Sequence, residues 1–313
     1  MLLHITHETR YDYRPAVETA HHVLCLQPIS TALQDTLERT IEIQPAPLQP
    51  SERQDVFGNH LCQFSLQPPH ETLQVISRSR VRTRAPLAAV STLSWEAVRD
   101  RLRYCQGMVY DPAVEFSLPS PHVPLHADFA RYAHESFAAG RTLLEAARHL
   151  MQRIYQDFTY ASQSTEVNTP VLTALAQRKG VCQDFAHILI ACLRSLGLPG
   201  RYVSGYLLTQ PPPGQPRLIG ADASHAWAQV YLPDLDANHP GQGWYDLDPT
   251  NNRDGWGTPG EDYVTVARGR DYSDVAPMRG VIHGGAKHTL HVGVTVAPVD
   301  EEVPPEASAA AGA

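Results

Sequence analysis

The sequence lacks the features that identify several common classes of protein. Its five cysteines are odd in number and widely spaced, without a CxxC pair, at positions 25, 62, 105, 182 and 192. This pattern argues against a disulfide framework and against a zinc site. The 25 lysine and arginine residues are outnumbered by 33 acidic residues, and no basic cluster stands out. We therefore expect neither a metal nor another cofactor, and no nucleic acid partner.

Long hydrophobic runs are also absent. No uninterrupted apolar stretch approaches the ~18 residues that span a bilayer. Met1–Glu8 has no basic start followed by an apolar core, as a signal peptide would have. We expect a soluble, cytoplasmic protein with no membrane partner. The 313 residues are 42% hydrophobic, enough to bury one large core or two moderate ones, and two domains are the favoured arrangement.

The N-terminal part of the chain is typical of a β-rich domain. Short alternating segments are separated by proline, glycine and asparagine, which predicts strands near residues 2–13, 18–27, 37–44, 60–67 and 72–83. We predict a β-sandwich-like N-terminal domain over 1–90. The pattern then becomes helical at 95–105 and 125–137, which predicts a helical connection over 91–140.

The remaining residues predict helices first and strands second. Apolar spacing predicts a helix over 141–158, and Thr169 as N-cap before Pro170 predicts a shorter helix. Alternation then predicts strands at 201–208, 225–232, 243–248 and 287–297. This layout indicates an α+β domain over 141–297. The acidic, Pro/Ala-rich tail over 298–313 lacks the apolar content to fold and is predicted to be disordered.

Cys182 is the most informative residue because it lies where a predicted helix begins. From Phe185 the apolar residues have the spacing of one buried helical face, and Gly197 and Pro199 end the helix. In the first turn, unpaired backbone N–H groups and the positive end of the helix dipole favour a thiolate, which is the nucleophilic form. A cysteine there is more often a small packed hydrophobe, so a catalytic role also requires a base and an orienting group.

His225 and Asp248 can supply those two groups. Ser224–Leu232 and Gly243–Thr250 each predict a strand, and the residues between them have the composition of a loop. An antiparallel hairpin closed at the ends of these segments puts His225 diagonally across from Asp248 on one face. The carboxylate can then accept a hydrogen bond from one imidazole nitrogen while the other nitrogen faces the thiol.

Four blocks of the chain follow one another in the order Gly180–Ala186 (GVCQDFA), Gly197–Tyr206 (GLPGRYVSGY), Ser224–Trp227 (SHAW) and Asp248–Asn251 (DPTN). Together they resemble the transglutaminase-like superfamily, specifically its bacterial branch of predicted cysteine peptidases. The resemblance implies a papain-like core in which Cys182 is the nucleophile, His225 the base and Asp248 the residue that orients the histidine. The segments His7–Tyr13, His21–Pro28 and Asp55–His60 look like the β-rich region that precedes the catalytic domain in these proteins.

The implied activity is acyl transfer on an amide bond through a thioester. We expect hydrolysis of a peptide or isopeptide bond, with a peptide or protein as substrate. Two alternatives stay open. The first is a protein-glutamine transglutaminase that uses an amine acceptor, because both reactions share the first half-reaction. The second is a non-catalytic module that binds an extended peptide.

Several residues near these motifs have simpler interpretations. Asp184 lies in the first turn of the Cys182 helix and is interpreted as stabilising the helix N-terminus. Trp227 is expected to pack over the His225–Asp248 pair and shield it from water. The backbone N–H of Cys182 is the predicted oxyanion donor, and the second donor stays unassigned, since Tyr160 is more typical of a packed aromatic. The spacing of the three C-terminal histidines argues against a metal site; they are His283, His288 and His291.

Overall fold

A computed structural model describes residues 1–103, 109–161, 169–209, 224–235, 243–285 and 287–299 of the chain. Within these ranges the chain forms a large and a smaller antiparallel sheet, and helices pack on the smaller one. This arrangement confirms the predicted α+β class with a β-rich N-terminal region. Cys105 and the part of the predicted tail beyond Val299 lie outside the described residues.

The large sheet contains seven described strands. They are β1 (Leu2–Gln27), β2 (Gln34–Gln44), β3 (Ser51–Gln54), β4 (His60–Leu66), β5 (His70–Thr83), β13 (Met278–Gly284) and β14 (Lys287–Pro298). Strand β1 is continuous where the sequence predicted two strands, and β3 was not predicted. The first half of β1 lies between β5 and β14, and its second half lies between β4 and β13. Apolar side chains from both halves form one core, which makes the domain sandwich-like.

The last strand belongs to a different sheet from the one predicted. The sequence predicted a strand at 287–297 within the α+β domain, but β14 pairs along its length with β1, from Leu3 opposite Pro298 to Arg14 opposite Lys287. Alternation of apolar and polar residues indicates that a segment is a strand, but it does not indicate which strand is its partner. Val294 and Val296 of β14 are buried in the same core as Leu3 of β1, and this packing fixes the placement.

Five of the seven described helices follow the predicted order with shorter bounds, whereas a 3₁₀ helix and a last short helix were not predicted. The seven are α1 (Trp95–Leu102), a 3₁₀ helix (Pro112–Ser117), α2 (Ala127–His134), α3 (Leu143–Asp157), α4 (Val171–Gln177), α5 (Cys182–Ser195) and α6 (Tyr272–Val275). The predicted N-cap of α4 was wrong by one residue, because Pro170 itself has the non-helical cap conformation and Thr169 precedes it. None of the described helices is both long enough and apolar enough to cross a membrane.

The smaller sheet consists of β8 (Gly200–Leu207), β9 (Ser224–Tyr231), β10 (Trp244–Asp248), β11 (Arg253–Trp256) and β12 (Tyr263–Gly269), in the order β11-β10-β9-β8-β12. The strands β8, β9 and β10 were predicted, whereas β11 and β12 were not. A short parallel pair, β6 (Thr159–Tyr160) with β7 (Lys179–Gly180), precedes α5. Helix α5 packs against β8 and β9, which brings the start of the helix to the end of the sheet.

Helix α5 is held in place over most of its length. Every residue from Asp184 to Arg194 is buried, so the helix forms the centre of its domain. The guanidinium of Arg194 donates to the backbone carbonyls of Gly200 at 2.9 Å and Arg270 at 2.6 Å. Buried charges are stable in proteins when they are hydrogen-bonded in this way. The position of the helix start is therefore fixed by the core and not by a loop.

Two amide side chains from the N-terminal domain bind the edge strand β12. Gln34 donates to the carbonyl of Thr265 at 2.8 Å and accepts from the amide of the same residue at 2.7 Å. Asn59 makes the same pair of contacts with Arg268, at 2.7 and 2.8 Å. An exposed strand edge presents unpaired backbone groups, and these amides satisfy them. They fix the N-terminal domain against the sheet that carries the candidate site.

Candidate active site

Cys182 is the first residue of α5, as predicted. The preceding turn is closed by Asp184, whose Oδ2 accepts the backbone N–H of Val181 at 2.8 Å. This contact supports the structural interpretation of Asp184. A Cβ atom at Gly180 would lie 2.6 Å from the same oxygen, so only glycine allows the carboxylate to approach the chain here. The turn before the thiol is therefore shaped by three neighbouring residues of the GVCQDFA block.

The predicted β9–β10 hairpin register is confirmed. Tyr231 pairs with Trp244 and Ala228 with Leu247, which is the register that follows from closing the strands at Leu232 opposite Gly243. The imidazole Nε2 of His225 hydrogen-bonds to Oδ2 of Asp248 at 2.8 Å. The diagonal contact expected from the sequence is thus present.

The Asp248 carboxylate is completely buried and receives hydrogen bonds at both oxygens. Oδ1 accepts the backbone amides of Thr250 at 2.8 Å and Asn251 at 3.3 Å. Oδ2 accepts from the hydroxyl of Tyr263 at 2.6 Å and from the side-chain amide of Asn251 at 2.8 Å, in addition to His225. Burial acts to raise the pKa of Asp248, but the imidazolium and these donors outweigh it and lower the pKa. The carboxylate is therefore charged at neutral pH.

The charge of Asp248 determines the state of His225. Burial acts to lower the pKa of His225, but the Asp248 charge, its hydrogen bond and a hydrogen bond with Cys182 raise the pKa to about 10. Since Nε2 is bound to Asp248, Nδ1 is the nitrogen that remains for the thiol. A protonated imidazole between a carboxylate and a sulfur can donate a proton to a leaving group. The three predicted site residues are thus brought together in the expected order.

Two residues that support Asp248 were not assigned a role from the sequence. Asn251 belongs to the DPTN block, so its position carried a signal that was not used. Tyr263 lies on β12, which was not predicted, and no motif marked it. Trp227 packs as expected, with its ring nearly parallel to that of His225 at 6.2 Å between centroids. Its Nε1 also donates to Asp246 at 2.7 Å, a contact that the sequence did not indicate.

The other residues considered from the sequence lie elsewhere. Tyr160 ends the short strand β6 and its ring meets that of Phe185 edge-on, but the side chain is 55% exposed, so the packed-aromatic interpretation holds only in part. His283 pairs with Glu18 at 2.9 Å on the surface of the N-terminal sheet, and His291 lies 3.8 Å from Asp12. These histidines belong to β13 and β14 and do not line the cleft that holds Cys182.

The thiol opens onto a cleft between the large and the smaller sheet. Cys182 and His225 line a cavity of about 330 Å³, which also contacts residues of β1, β8, β12 and β14. A thiol at a helix start, an imidazole and a carboxylate on adjacent strands, and an α+β core together define a papain-like fold with a thiol site. The cleft beside the sulfur gives a substrate access to it.

Comparison with known proteins identifies the family. The model of the transglutaminase-like superfamily matches residues 130–249, and that of the bacterial transglutaminase-like N-terminal region matches residues 3–82. An uncharacterized protein of Mycobacterium tuberculosis is 40% identical over 303 residues, covering 95% of this chain and 92% of its own length. The chain belongs to the transglutaminase-like superfamily.

Further similarities are found in sequence and in structure. An uncharacterized protein of Mycobacterium leprae is 31% identical over 301 residues, covering 94% of this chain and 98% of its own length. The crystal structure of a proposed cysteine protease from Cytophaga hutchinsonii matches 96% of this chain and 92% of its own, with a TM-score of 0.70 and 22% identity. A Pseudomonas aeruginosa protein-glutamine gamma-glutamyltransferase is 29% identical over 135 residues, 42% of this chain and 18% of its own.

Proposed function

We propose that the protein is a cysteine amidase that hydrolyses a peptide or isopeptide bond through Cys182, His225 and Asp248. The observation that carries this proposal is the His225–Asp248 hydrogen bond of 2.8 Å, which leaves the other imidazole nitrogen for the thiol of Cys182 at the start of α5. A nucleophile, a base and a group that orients the base are the parts that covalent acyl transfer requires.

The proposed reaction has two halves. The Cys182 thiolate attacks the amide carbon, and the carbonyl electrons move to oxygen to form a tetrahedral oxyanion. Its collapse restores the carbonyl and breaks the C–N bond, while His225 transfers its proton to the departing amine. Water then attacks the thioester and gives a proton to His225. The sulfur leaves as a thiolate, and the acyl group is released as a carboxylic acid.

An amine acceptor is the second candidate for the last half-reaction. The similarity to the Pseudomonas aeruginosa protein-glutamine gamma-glutamyltransferase supports it, since that relative is named as a transferase and not as a hydrolase. The first half-reaction is the same, and the outcome depends on whether water or an amine reaches the thioester. A binding module without activity is disfavoured, because no part of the proposed triad is missing from the sequence.

Alkylation tests the reactive thiol directly. Burial raises the pKa of Cys25 to about 12 and raises those of Cys62 and Cys192. We expect iodoacetamide at pH 6 to label Cys182 at least about tenfold faster than each of these, located by peptide mass analysis. Cys182→Ala removes the fast phase, and Cys192→Ala is the matched control that keeps it. Equal, slow labelling of all the cysteines would favour the binding module.

Product analysis separates the two enzymatic candidates. The protein is incubated with a glutamine-containing peptide, with and without a primary amine, and the products are weighed by mass spectrometry. A cleaved or deamidated product in both mixtures supports water as the acceptor, whereas an amine adduct supports transfer. No change in either mixture counts against both. For the cell we propose a cytoplasmic location, because a reducing compartment keeps a nucleophilic thiol from being oxidised.

A further inference from the structure

The N-terminal domain forms one wall of the cleft beside the proposed nucleophile. The cavity that Cys182 and His225 line is bounded on the opposite side by residues of the large sheet, namely His7, Thr9, Tyr11, Cys25, Leu290 and Val292. Tyr11 pairs across the sheet with Leu290, and Thr9 with Val292, so they form one continuous surface. The substrate must contact this surface when it reaches the sulfur.

The cavity is mostly apolar. It is also lined by Met278 of the large sheet and by Tyr202 and Val266 of the smaller sheet, and among the described residues no aspartate, glutamate, lysine or arginine lines it. Apart from the Cys182–His225 pair, the cavity offers a charged substrate group no side chain of opposite charge to replace its lost water, and such burial is costly. An uncharged apolar group would instead gain by leaving water. The lining therefore favours uncharged substrate groups over charged ones.

The mouth of the cavity exposes two large apolar side chains. Leu290 is 48% exposed and Val292 is 40% exposed, at alternate positions of β14 and so on one face of the strand. Exposed apolar residues that are grouped beside a reactive thiol are typical of a surface that a ligand covers. An apolar side chain of a bound substrate would cover these two residues and remove them from water.

His7 adds polarity to the wall without adding charge. Its Nδ1 lies 2.9 Å from the hydroxyl of Tyr206, and its Nε2 lies 3.2 Å from the hydroxyl of Thr9. Burial lowers the pKa of His7 to about 4, so the ring is neutral at pH 7. The two hydroxyls and the neutral ring carry three protons for two hydrogen bonds. Whichever tautomer is present, one hydroxyl proton remains as a donor, and no charge is offered.

We propose that the N-terminal sheet selects a large, uncharged, apolar side chain on the acyl side of the scissile bond. This inference rests on the proposed function, because it assigns a substrate class to the same thiol. The acyl group is the part of the substrate that bonds to the sulfur and stays there through both half-reactions. Since Cys182 itself lines the cavity, the side chain next to the scissile carbonyl lies against Tyr11, Leu290 and Val292.

Covalent probes test the inference. Acetyl-dialanyl chloromethyl ketones that differ only in the residue next to the ketone, namely Gly, Leu, Phe, Glu or Lys, are reacted with the full chain. The labelling rate of Cys182 is divided by its rate with iodoacetamide, which has no such side chain. We expect Leu and Phe to react at least about tenfold faster than Gly, Glu or Lys on this normalised scale.

A variant tests the role of the N-terminal wall. Leu290→Asp should lower the ratio of the Phe rate to the Gly rate by about tenfold, and Val292→Asp provides a second variant should the first fail to fold. Val281→Asp is the matched control, since Val281 is 74% exposed on β13 and does not line this cavity. It should keep the wild-type ratio. Urea unfolding curves confirm that each variant is folded.

The outcomes separate this inference from the proposed function. Suppose that iodoacetamide labels Cys182 fast, but the five chloromethyl ketones react at equal normalised rates, or the Glu or Lys probe reacts fastest. This result would overturn the proposed substrate class but not the proposal that Cys182 is a reactive thiol. A preference for Phe that survives both β14 substitutions would overturn the role of the N-terminal sheet, because another wall would then select the side chain. Slow iodoacetamide labelling would overturn the proposed function, and the inference with it.

Discussion

Two carboxylates on β10 differ in pKa, and their exposure does not explain the difference. Asp246 and Asp248 lie two residues apart, on the same face of the strand, and their exposed fractions are 1% and 0%. Burial raises the pKa of Asp246 to about 6, whereas that of Asp248 falls below its ordinary value. Two equally buried groups on one strand thus have pKa values that are shifted in opposite directions.

The hydrogen-bond partners account for the difference. Both oxygens of Asp248 accept hydrogen bonds, one of them from an imidazole that becomes charged in return. At Asp246, Oδ1 accepts from Trp227 at 2.7 Å and from Gln229 at 2.7 Å, whereas Oδ2 has no partner among the described residues. Arg201 and Arg268 attract the charge, but burial lowers the pKa of each of them as well.

The comparison teaches what turns a buried carboxylate into a candidate catalytic group. The hydrogen bonds to Asp248 keep its carboxylate charged, and that negative charge stabilises the protonated imidazole of His225, which opens onto the cleft. Asp246 accepts hydrogen bonds from Trp227 and Gln229 in the interior of the protein. Neither of these two residues lines the cavity beside Cys182. Perturbed pKa values mark functional sites only when geometry connects them to a reacting atom.

Substitution of Asp248 by asparagine has the largest expected effect on activity. The same substitution at Asp246 gives the most direct contrast between the two aspartates. Asp248→Asn keeps the shape but removes the charge that holds His225 protonated and correctly oriented. We expect the rate of amide cleavage to fall by roughly 10³- to 10⁴-fold, as removal of an orienting carboxylate does in other triads. The measurement is the initial rate with the best peptide substrate at pH 7.

Asp246→Asn is the matched control for this prediction. It makes the same chemical change on the same strand, and its Oδ1 can still accept from Trp227 and Gln229. We expect the rate to stay within about threefold of the wild type, since orientation of His225 is retained. Equal losses in both variants would show that the effect is a general disturbance of β10 and not the loss of a positioned charge.

The sequence predicted the parts of the site that depend on local contacts. The position of α5 follows from the spacing of its apolar residues and from the residues that end it. The hairpin register follows from two strands that are close in the chain. The pairing of His225 with Asp248 could therefore be predicted from the sequence alone. The DPTN block also contained Asn251, although its contact with Asp248 was not predicted.

Contacts between distant segments could not be predicted in the same way. Tyr263 reaches Asp248 from β12, which lies beside β8 at the other edge of the sheet, so no sequence spacing links the two residues. The placement of β14 beside β1 joins the two ends of the described chain for the same reason. Asp246 and Asp248 occupy similar strand positions, and only their three-dimensional neighbours distinguish them.

The pH dependence of stability is the next largest expected effect. The pKa of Asp246 is raised from 3.8 in the unfolded chain to about 6 in the folded protein, so folding favours the protonated form. The resulting stabilisation is fully present below pH 3.8 and is lost as the pH rises through 6. Relative to wild type, Asp246→Asn should gain on the order of 2 kcal/mol in free energy of unfolding between pH 4 and pH 7.

Urea unfolding of wild type and Asp246→Asn at both pH values measures this difference, because other titrating groups cancel in the comparison. The lowered pKa of Asp248 acts in the opposite sense and in a different range: it stabilises the wild type above pH 3.8, and this contribution is lost as the pH falls through the lowered pKa, below the pH 4 to 7 window. Were Asp246→Asn instead to lose stability relative to wild type toward pH 7, Arg201 and Arg268 would be holding Asp246 charged, and the contrast between the carboxylates would disappear.

Removal of the Tyr263 hydroxyl has the smallest expected effect and sharpens the comparison further. This hydroxyl donates to Oδ2 of Asp248 at 2.6 Å, so Tyr263→Phe removes one of the donors that lower the pKa of that carboxylate. We expect a loss of about tenfold in rate, the range seen when partners of a functional ligand are removed. The acidic limb of the pH–rate profile should also move to higher pH, which a purely structural loss would not cause. Tyr245→Phe is the matched control, because Tyr245 is equally buried but hydrogen-bonds to Asp254, and it should leave that limb in place.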